Sequence, residues 1–522
     1  MGRYTRHVRS ARSRRLRRDQ VRNRAGGFVW SVGCWGQLDR FLILGTSAPT
    51  YYASARTLTL SAADAVETCL VVDGLRTVDQ IVAVSTAGRA PRNDAALFAL
   101  AMASKLGDDA TRRAAQRALP KVARTLSHLY TFADAVDALG GWGRGTRRAF
   151  ALWLSADPGR LAYQAIKYRQ REGWTLRDLL RKVHARPVSA AHDELFAWAV
   201  RRAPVTSEAL SQVAAYEAAA RADTVGELVA LIEAHDLPRE AVPTRFLGER
   251  DVWDALLRRM PLTALLRSLG KLSAVGLLTS GSKASRSVVA RLSSASQLAK
   301  ARVHPLGLLV AQHVYGQGHG VKGKLAWRPD RSVVSALEGA FYQSFGTLKA
   351  SGKRHLLALD VSGSMSFSTI AGMPGITPRI GSAAMAMATL RTEPLAMTMG
   401  FSQGIVPLKL RADERLSQVL KKVDRLPMGG TDCALPMRWA TEHRVEVDTF
   451  VVYTDNETWF GKVHPAKALE RYRQALGIDA KLVVVGMVAN EFSIADPRDG
   501  GMLDVVGFDT AAPRLLTEFS AS

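Results

Sequence analysis

A chain of 522 residues with 47% hydrophobic and 23% charged residues is too long for one ordinary core and too apolar to stay disordered, so it predicts two or more globular units. Its 71 Lys plus Arg against 47 Asp plus Glu give a formal net charge of +24, which calls for a polyanionic partner. Cys34, Cys69 and Cys433 form neither a paired framework nor a metal-ligand spacing, the pattern of a reducing, cytoplasmic compartment, and no apolar run reaches the roughly 20 residues that a membrane span needs.

The first 24 residues, "MGRYTRHVRSARSRRLRRDQVRNR", contain ten arginines and place Arg where a secretion signal would turn apolar. Residues 1–18 therefore form an Arg-rich arm, read either as solvated and disordered or as an electrostatic arm for nucleic acid or anionic lipid. From Ser351 to Ser522 there are 19 basic and 19 acidic residues; subtracting these from 71 and 47 leaves 52 and 28 before position 351. All of the excess charge sits in the first 350 residues, so a polyanion is expected there and not beyond.

Residues 19–350 carry apolar side chains at helical spacing. In "RSVVSALEGAFYQSF", Val333, Leu337, Phe341 and Phe345 fall on one face. Pro238 and Pro243 interrupt the pattern before a helix that begins near Asp251. Successive helices at short intervals, without strands, predict stacked helical hairpins, an α-solenoid. Within this half, "KYRQREGWTLRDLLRKVHARP" crowds Lys167, Arg169, Arg171, Arg177, Arg181 and His184 onto one helix pair around Trp174, a packing anchor. Guanidinium, ammonium and imidazole groups clamp phosphates and stack on bases, but helical spacing cannot put all six on one face. His184 is open to a second reading, as a packed, hydrogen-bonded histidine.

After residue 351 the pattern becomes strand-length apolar runs, "HLLALDV", "LAMTMGF", "DTFVVYTD" and "AKLVVVGMV", separated by helices such as "SAAMAMATLR" and "PAKALERYRQAL". That alternation predicts an α/β domain over 351–522, a parallel sheet covered on both faces with ligands at the carboxyl ends of its strands. Oxygen ligands gather at three such ends: Asp360, Ser362 and Ser364 in "LDVSGSM", Thr431 in "MGGTDCALP", and Asp455 in "VVYTDNET". Two carboxylates and three hydroxyls suit Mg²⁺ or another hard divalent cation and leave room for water or a ligand carboxylate. Each residue alone could merely cap a helix.

The five metal-site residues match, one for one, the metal-ion-dependent adhesion site of the von Willebrand factor A domain, which the C-terminal part resembles. Upstream, "DQVRNRAGGFVWSV", "DRFLILG", "TYY", "HLYTF", "GWGRGTRRAFALW", "LPREAVPT", "VWDALLRRMPLTALLRSLGKL" and "HPLGLLVAQHVYGQGHGVKGKLAWRPD" resemble, in order, landmarks of the TROVE domain. Together the two resemblances cover roughly residues 19–520 and place the chain beside the Ro autoantigen family. The Gly-rich loop usual before "TYY" reads "TSAP" here, and the Arg-rich arm lies outside the shared pattern.

What the resemblance implies is a ring of HEAT-like helical repeats closed by the A domain, without established catalysis. It implies binding of Y RNA on the outer basic surface and of single-stranded ends of misfolded noncoding RNA in the central hole. In bacterial relatives the Y RNA tethers a 3′ exoribonuclease. Lys167, Arg171 and His184 correspond to the family's Y RNA contacts, with Arg169 and Arg177 beside them. The expectation is a monomeric, cytoplasmic, non-enzymatic scaffold of noncoding RNA quality control, with no membrane partner. The competing expectation is a protein-binding module whose metal grips a partner's carboxylate, the helices acting as spacer. RNA cleavage at the metal is disfavoured, because a single metal site in the neutral half does not provide paired ions.

Overall fold

Helix starts along the first part of the chain are written by short polar side chains. Thr125, Asp157, Ser189, Thr224 and Ser282 each accept a hydrogen bond from the exposed backbone N–H three residues on, and Thr175 with Asp178 forms a reciprocal capping box. The computed structural model describes residues 15–46, 53, 55–346, 348–367 and 369–522. Residues 1–14 of the Arg-rich arm, most of the "TSAP" loop and the "TYY" landmark lie outside the described residues.

Between Cys34–Leu44 and Arg331–Gln343 the described chain is a succession of helices, packed on partners that lie mostly one to three helices away in sequence. The predicted face of the last helix is buried, with Val333, Leu337 and Phe341 fully enclosed. The two prolines give short 3-10 turns, Arg239–Ala241 and Thr244–Phe246, before the helix Arg250–Arg259. The helical run Ala55–Ala87 breaks at Asp73, whose φ of −160° and ψ of 94° are extended; its carboxylate then accepts from Arg76 N–H at 2.9 Å and restarts the helix.

The C-terminal lobe is a six-stranded sheet in the order β5-β4-β3-β6-β7-β9, with β3 His355–Asp360, β4 Ala396–Phe401, β5 Ile405–Val406, β6 Thr449–Thr454, β7 Lys481–Gly486 and β9 Met502–Val506. All pairings are parallel except β4 with β5. The four strands expected from sequence are present, and β3 and β6 are buried along their whole length, as a sheet covered on both faces requires.

The sequence reading gave the first half no strands. The structure departs from this at β1 Val21–Arg22 and β2 Phe28–Ser31, which pair antiparallel with each other, and β2 then pairs with β8 Phe492–Ser493 of the C-terminal lobe. Residues 15–31 thus form a strap on the lobe. The physical reason is that β8 is a two-residue edge with unpaired backbone groups, and a strand from elsewhere in the chain can satisfy them.

Both ends of the helical run are tied to that lobe. At the first end the buried Arg40 guanidinium donates to Asp504 Oδ1 and Oδ2 (2.7 Å each) and, through Nη1, to the carbonyls of Asn490 and Phe492 (2.7 Å each). At the other, Glu338 accepts from Leu416 N–H at 2.8 Å and pairs with Arg391, which lies 3.8 Å over the Tyr342 ring. Arg89 joins the two ends: its guanidinium pairs with Asp509 at 2.6 Å, and its carbonyl accepts from His304 Nε2, 215 residues away, at 3.0 Å. The helical run closes on itself through the lobe.

Arg40→Ala removes one half of a buried charge network and costs about 3 kcal/mol or more, read as a lower midpoint in chemical denaturation; Arg40→Lys recovers little, because an ammonium cannot form the fork. Burial holds the His304 imidazole neutral, its pKa down at about 4, with Nδ1 accepting from Leu306 N–H. Protonation is easier in the unfolded chain, so stability falls as pH drops from about 6.5 towards 4, by on the order of 3 kcal/mol in all. A pH series of thermal melts checks this, and His304→Gln flattens the slope.

Candidate metal centre and nucleic-acid interface

Parallel pairing of β3 and β6 sets the two carboxylates side by side: Asp360 is the last residue of β3, and Asp455 follows the last residue of β6. Asp360 Oδ1 accepts from Ser362 N–H at 2.9 Å and Oδ2 from the Thr454 hydroxyl at 2.8 Å. Ser362 Oγ lies 3.2 Å from Ser364 Oγ, and Ser364 hydrogen-bonds Asp455. Thr431 joins them through its backbone, because its carbonyl accepts from the N–H groups of Trp459 (3.1 Å) and Phe460 (2.9 Å). Gly363 N–H donates to the Gly429 carbonyl at 3.2 Å, tying the first loop to the second. Gly430 is what lets these loops close, since a Cβ there would lie 2.8 Å from the Trp459 ring. The structure brings all five sequence-predicted ligands to one end of the sheet.

The electrostatics fit a divalent cation. Asp360 and Asp455 are buried and, among the described residues, neither has an ion-pair partner. Burial, then the charge of Asp455, pushes Asp360 up to about 7, and burial raises Asp455. Two desolvated carboxylates that repel each other are costly until a cation neutralises both. The oxygens gathered here, two carboxylates and three hydroxyls, are hard donors of the kind that could hold such a cation.

Sequence reasoning missed the residues that hold the third loop. Asn23, on the strap, donates to the carbonyls of Asn456 (3.2 Å) and Thr458 (2.8 Å). Ala25 N–H donates to Glu457 Oε2 at 3.0 Å, and Asn490 Nδ2 to the Asp455 carbonyl at 2.6 Å. The strap lies so close that a Cβ on Gly27 would sit 1.8 Å from the Thr458 carbonyl oxygen. Only the two glycines of "NRAGGF" could have signalled this approach.

The basic residues singled out in sequence do not form one cluster. Lys167 ends the helix Pro158–Lys167, half-buried and with its pKa lowered by burial, within electrostatic reach of Glu240 and Arg267. Arg171 is exposed in the next turn, which its backbone closes with Trp174, and pairs with Glu172 at 2.9 Å. Arg177 and Arg181 are exposed on the helix Leu176–Val183 without ion-pair partners among the described residues, and Arg169 is exposed 5.9 Å from the Tyr216 ring. His184 terminates that helix in the left-handed region, φ 54°, and is exposed rather than packed. Trp174 is the expected anchor, 5.6 Å from the ring of Trp142.

Comparison with known proteins covers both halves of the chain. Residues 354–520 match the Ro60 vWA domain family, and residues 21–227 and 231–314 match the TROVE domain family. The chain is 46% identical to the RNA-binding protein RO60 of Deinococcus radiodurans, over 97% of this chain and 96% of that one. It is 34% identical to the RNA-binding protein RO60 of Caenorhabditis elegans, over 96% and 90%. The crystal structure of the Deinococcus radiodurans Ro (RSR) protein superposes with a TM-score of 0.71 at 45% identity, covering 94% of this chain and 99% of that one.

The geometry predicts that Mg²⁺ raises the thermal midpoint of the protein and that Asp360→Ala abolishes the effect. Asn23→Ala, which touches no ligand, weakens Mg²⁺ binding by about tenfold or more by loosening the third loop; isothermal titration calorimetry reads both.

Proposed function

The chain belongs to the Ro60 family of TROVE and vWA domain proteins, and on that footing we propose that it is a non-enzymatic RNA-binding scaffold acting in noncoding RNA quality control. Structured Y RNA lies along the exterior of the helical run, held through its phosphates by Lys167, Arg171 and His184, with Arg169 and Arg177 adding charge. Single-stranded ends of misfolded RNA enter the central hole. Y RNA in turn tethers a 3′ exoribonuclease, all in the cytoplasm, with the protein a monomer.

The observation that carries this reading is the partition of charge. The excess of basic residues lies wholly before position 351, and within it Arg169, Arg177, Arg181 and His184 are solvent-exposed with no carboxylate partner among the described residues. Exposed, unpaired cations on a rigid helical frame are what a phosphate backbone requires. The lobe is electroneutral, so its role differs: Mg²⁺, when bound by Asp360, Ser362, Ser364, Thr431 and Asp455, supplies a coordination position for an anionic oxygen.

At that position a second reading has its own support. Phe367 and Met428, on the loops that carry Ser364 and Thr431, are 57% and 64% exposed, an apolar rim suited to a protein segment that presents a carboxylate. RNA on the helices and a protein at the metal are compatible.

Binding of structured RNA should weaken with salt at a log–log slope near −0.9 per phosphate neutralised. Replacing Lys167, Arg171 and His184 together by Ala is expected to lower affinity at least tenfold and flatten that slope by about 2, while the exposed Arg171→Ala alone costs within about 0.5 kcal/mol of stability. Fluorescence anisotropy over a salt series measures both; unaltered affinity removes the assignment. Asp360→Ala leaves RNA affinity intact and abolishes capture of a carboxylate-bearing protein partner, so an unchanged protein-interaction profile removes the second reading.

A further inference from the structure

Spacing along the chain pairs none of the three cysteines, but the fold brings two of them together. Cys34 is the first residue of the helix Cys34–Leu44, and Cys69 lies in the helical run Ala55–Ala87 packed against it. Their side chains hydrogen-bond, thiol to thiol. Both are free cysteines, Cys34 half-buried and Cys69 wholly enclosed.

We propose that Cys34 and Cys69 are a redox-sensitive thiol pair, which a peroxide converts to an intramolecular disulfide that staples the first two helices together. The proposal goes beyond the RNA-binding reading and uses none of the residues assigned to RNA or to the metal.

The surroundings hold the pair in place. Gln80 Nε2 donates to the Trp35 carbonyl at 3.4 Å and to Asp39 Oδ1 at 2.8 Å, and the Arg76 guanidinium lies 4.1 Å over the Trp35 ring. Trp35 directly follows Cys34, so contacts that fix the one fix the other against the second helix. A disulfide forms only where two cysteine side chains can meet without backbone movement. Thiols already in hydrogen-bond contact meet that condition by side-chain rotation alone.

The two thiols are unequal, and the inequality assigns their roles. Cys34 is the one that an oxidant reaches from solvent. Burial, then the hydrogen bond to Cys34, pushes the Cys69 thiol up to about 12, so it is inert towards oxidant by itself, the thiolate being the nucleophile. Arg76 lies within electrostatic reach of Cys69, a cation placed to support the anion that develops when Cys69 attacks its neighbour.

The chemistry balances with hydrogen peroxide as the oxidant. The Cys34 sulfur attacks one peroxide oxygen, the O–O bond breaks, and Cys34 becomes a sulfenic acid as water leaves. The Cys69 sulfur then attacks that of Cys34; the S–S bond forms, the S–O bond breaks, and the Cys69 proton departs with the hydroxide as a second water. Two thiols lose two hydrogens and two electrons, and the peroxide is reduced to two waters. Residues 35–68 then form a covalently closed loop that contains Arg40, the anchor on the C-terminal lobe. In a reducing compartment such a bond is transient and undone by thiols.

The test treats the full-length protein with hydrogen peroxide, blocks the remaining thiols with N-ethylmaleimide under denaturing conditions, and reads intact mass and a peptide map. The number of alkylated cysteines is expected to fall from three to one, with Cys34 linked to Cys69. Cys433, enclosed with its Sγ 3.7 Å from the Thr454 hydroxyl, keeps its adduct. Dithiothreitol restores all three thiols, and the oxidised form melts several degrees higher than the reduced one, because the cross-link constrains the unfolded chain. Cys34→Ser is expected to abolish oxidation of Cys69. Cys69→Ser leaves the sulfenic acid of Cys34 unresolved, so dimedone labels it strongly where the wild type is barely labelled. The peptide map of the wild type needs no variant and decides the matter if Cys69→Ser does not fold. Three alkylated thiols after peroxide treatment overturn the proposal, as do oxidation of Cys34 without linkage to Cys69 and equal dimedone labelling of the wild type and Cys69→Ser.

Discussion

One guanidinium holds the two halves of the molecule in register. Arg40, on the first described helix, is buried against Asp504 and the carbonyls of Asn490 and Phe492, so its charge has left water and all its compensation comes from the lobe. Such a contact has no partial form: displaced by a fraction of its length, it leaves a cation and a carboxylate unpaired in a desolvated interface. With Arg89 and Glu338 at the other contacts, it makes a closed frame from helices that would otherwise stack as an open spiral. A closed frame keeps its exposed cations at fixed separations, and fixed separations let a surface favour one RNA shape over another.

The same frame reconciles opposite electrostatic demands. A cation site needs negative potential, and an RNA surface needs positive potential. Here the buried carboxylates Asp360 and Asp455 sit in a lobe whose charges balance, while the excess of basic residues lies in the helical half. Charges further apart than about 8 Å are largely screened at physiological ionic strength, so separation between lobes is enough for the two to coexist. The strap is the exception, running from the Arg-rich arm directly onto the third metal loop through Asn23 and Ala25.

Much of this was legible in the sequence where one short segment carries the signal. The strands β3, β6 and β7 are apolar runs with Asp or Gly at or just after their last residue, and the parallel order of β3 and β6 puts Asp360 and Asp455 at one edge by topology alone; Thr431 follows the helix Leu416–Asp424 rather than a strand, so its place there was not set by strand order. The buried face of Val333, Leu337 and Phe341 follows from helical spacing. What was not legible depends on contacts between distant segments. Pairing of β2 with β8 joins residues more than four hundred positions apart, and two-residue strands have no periodicity to read. The basic stretch around Trp174 looks continuous in sequence, yet Lys167 turns into a cavity while Arg171 and His184 face solvent, because a helix end, a tight turn and a left-handed residue intervene. The cavity's opposite wall comes from residues near 260, which no local pattern connects to Tyr163.

The strap has a consequence for how the molecule is made. Its partners, Asn456, Glu491 and Ser493, lie more than four hundred positions further along the chain, so during synthesis residues 15–31 wait, unpaired, until those segments have been made. Helices held by neighbouring contacts form early and locally, and pairings with the longest sequence separation come last. Docking of the strap is therefore a late step: until β8 has been made the strap has no edge to pair with, and residues 15–31 stay open to proteolysis.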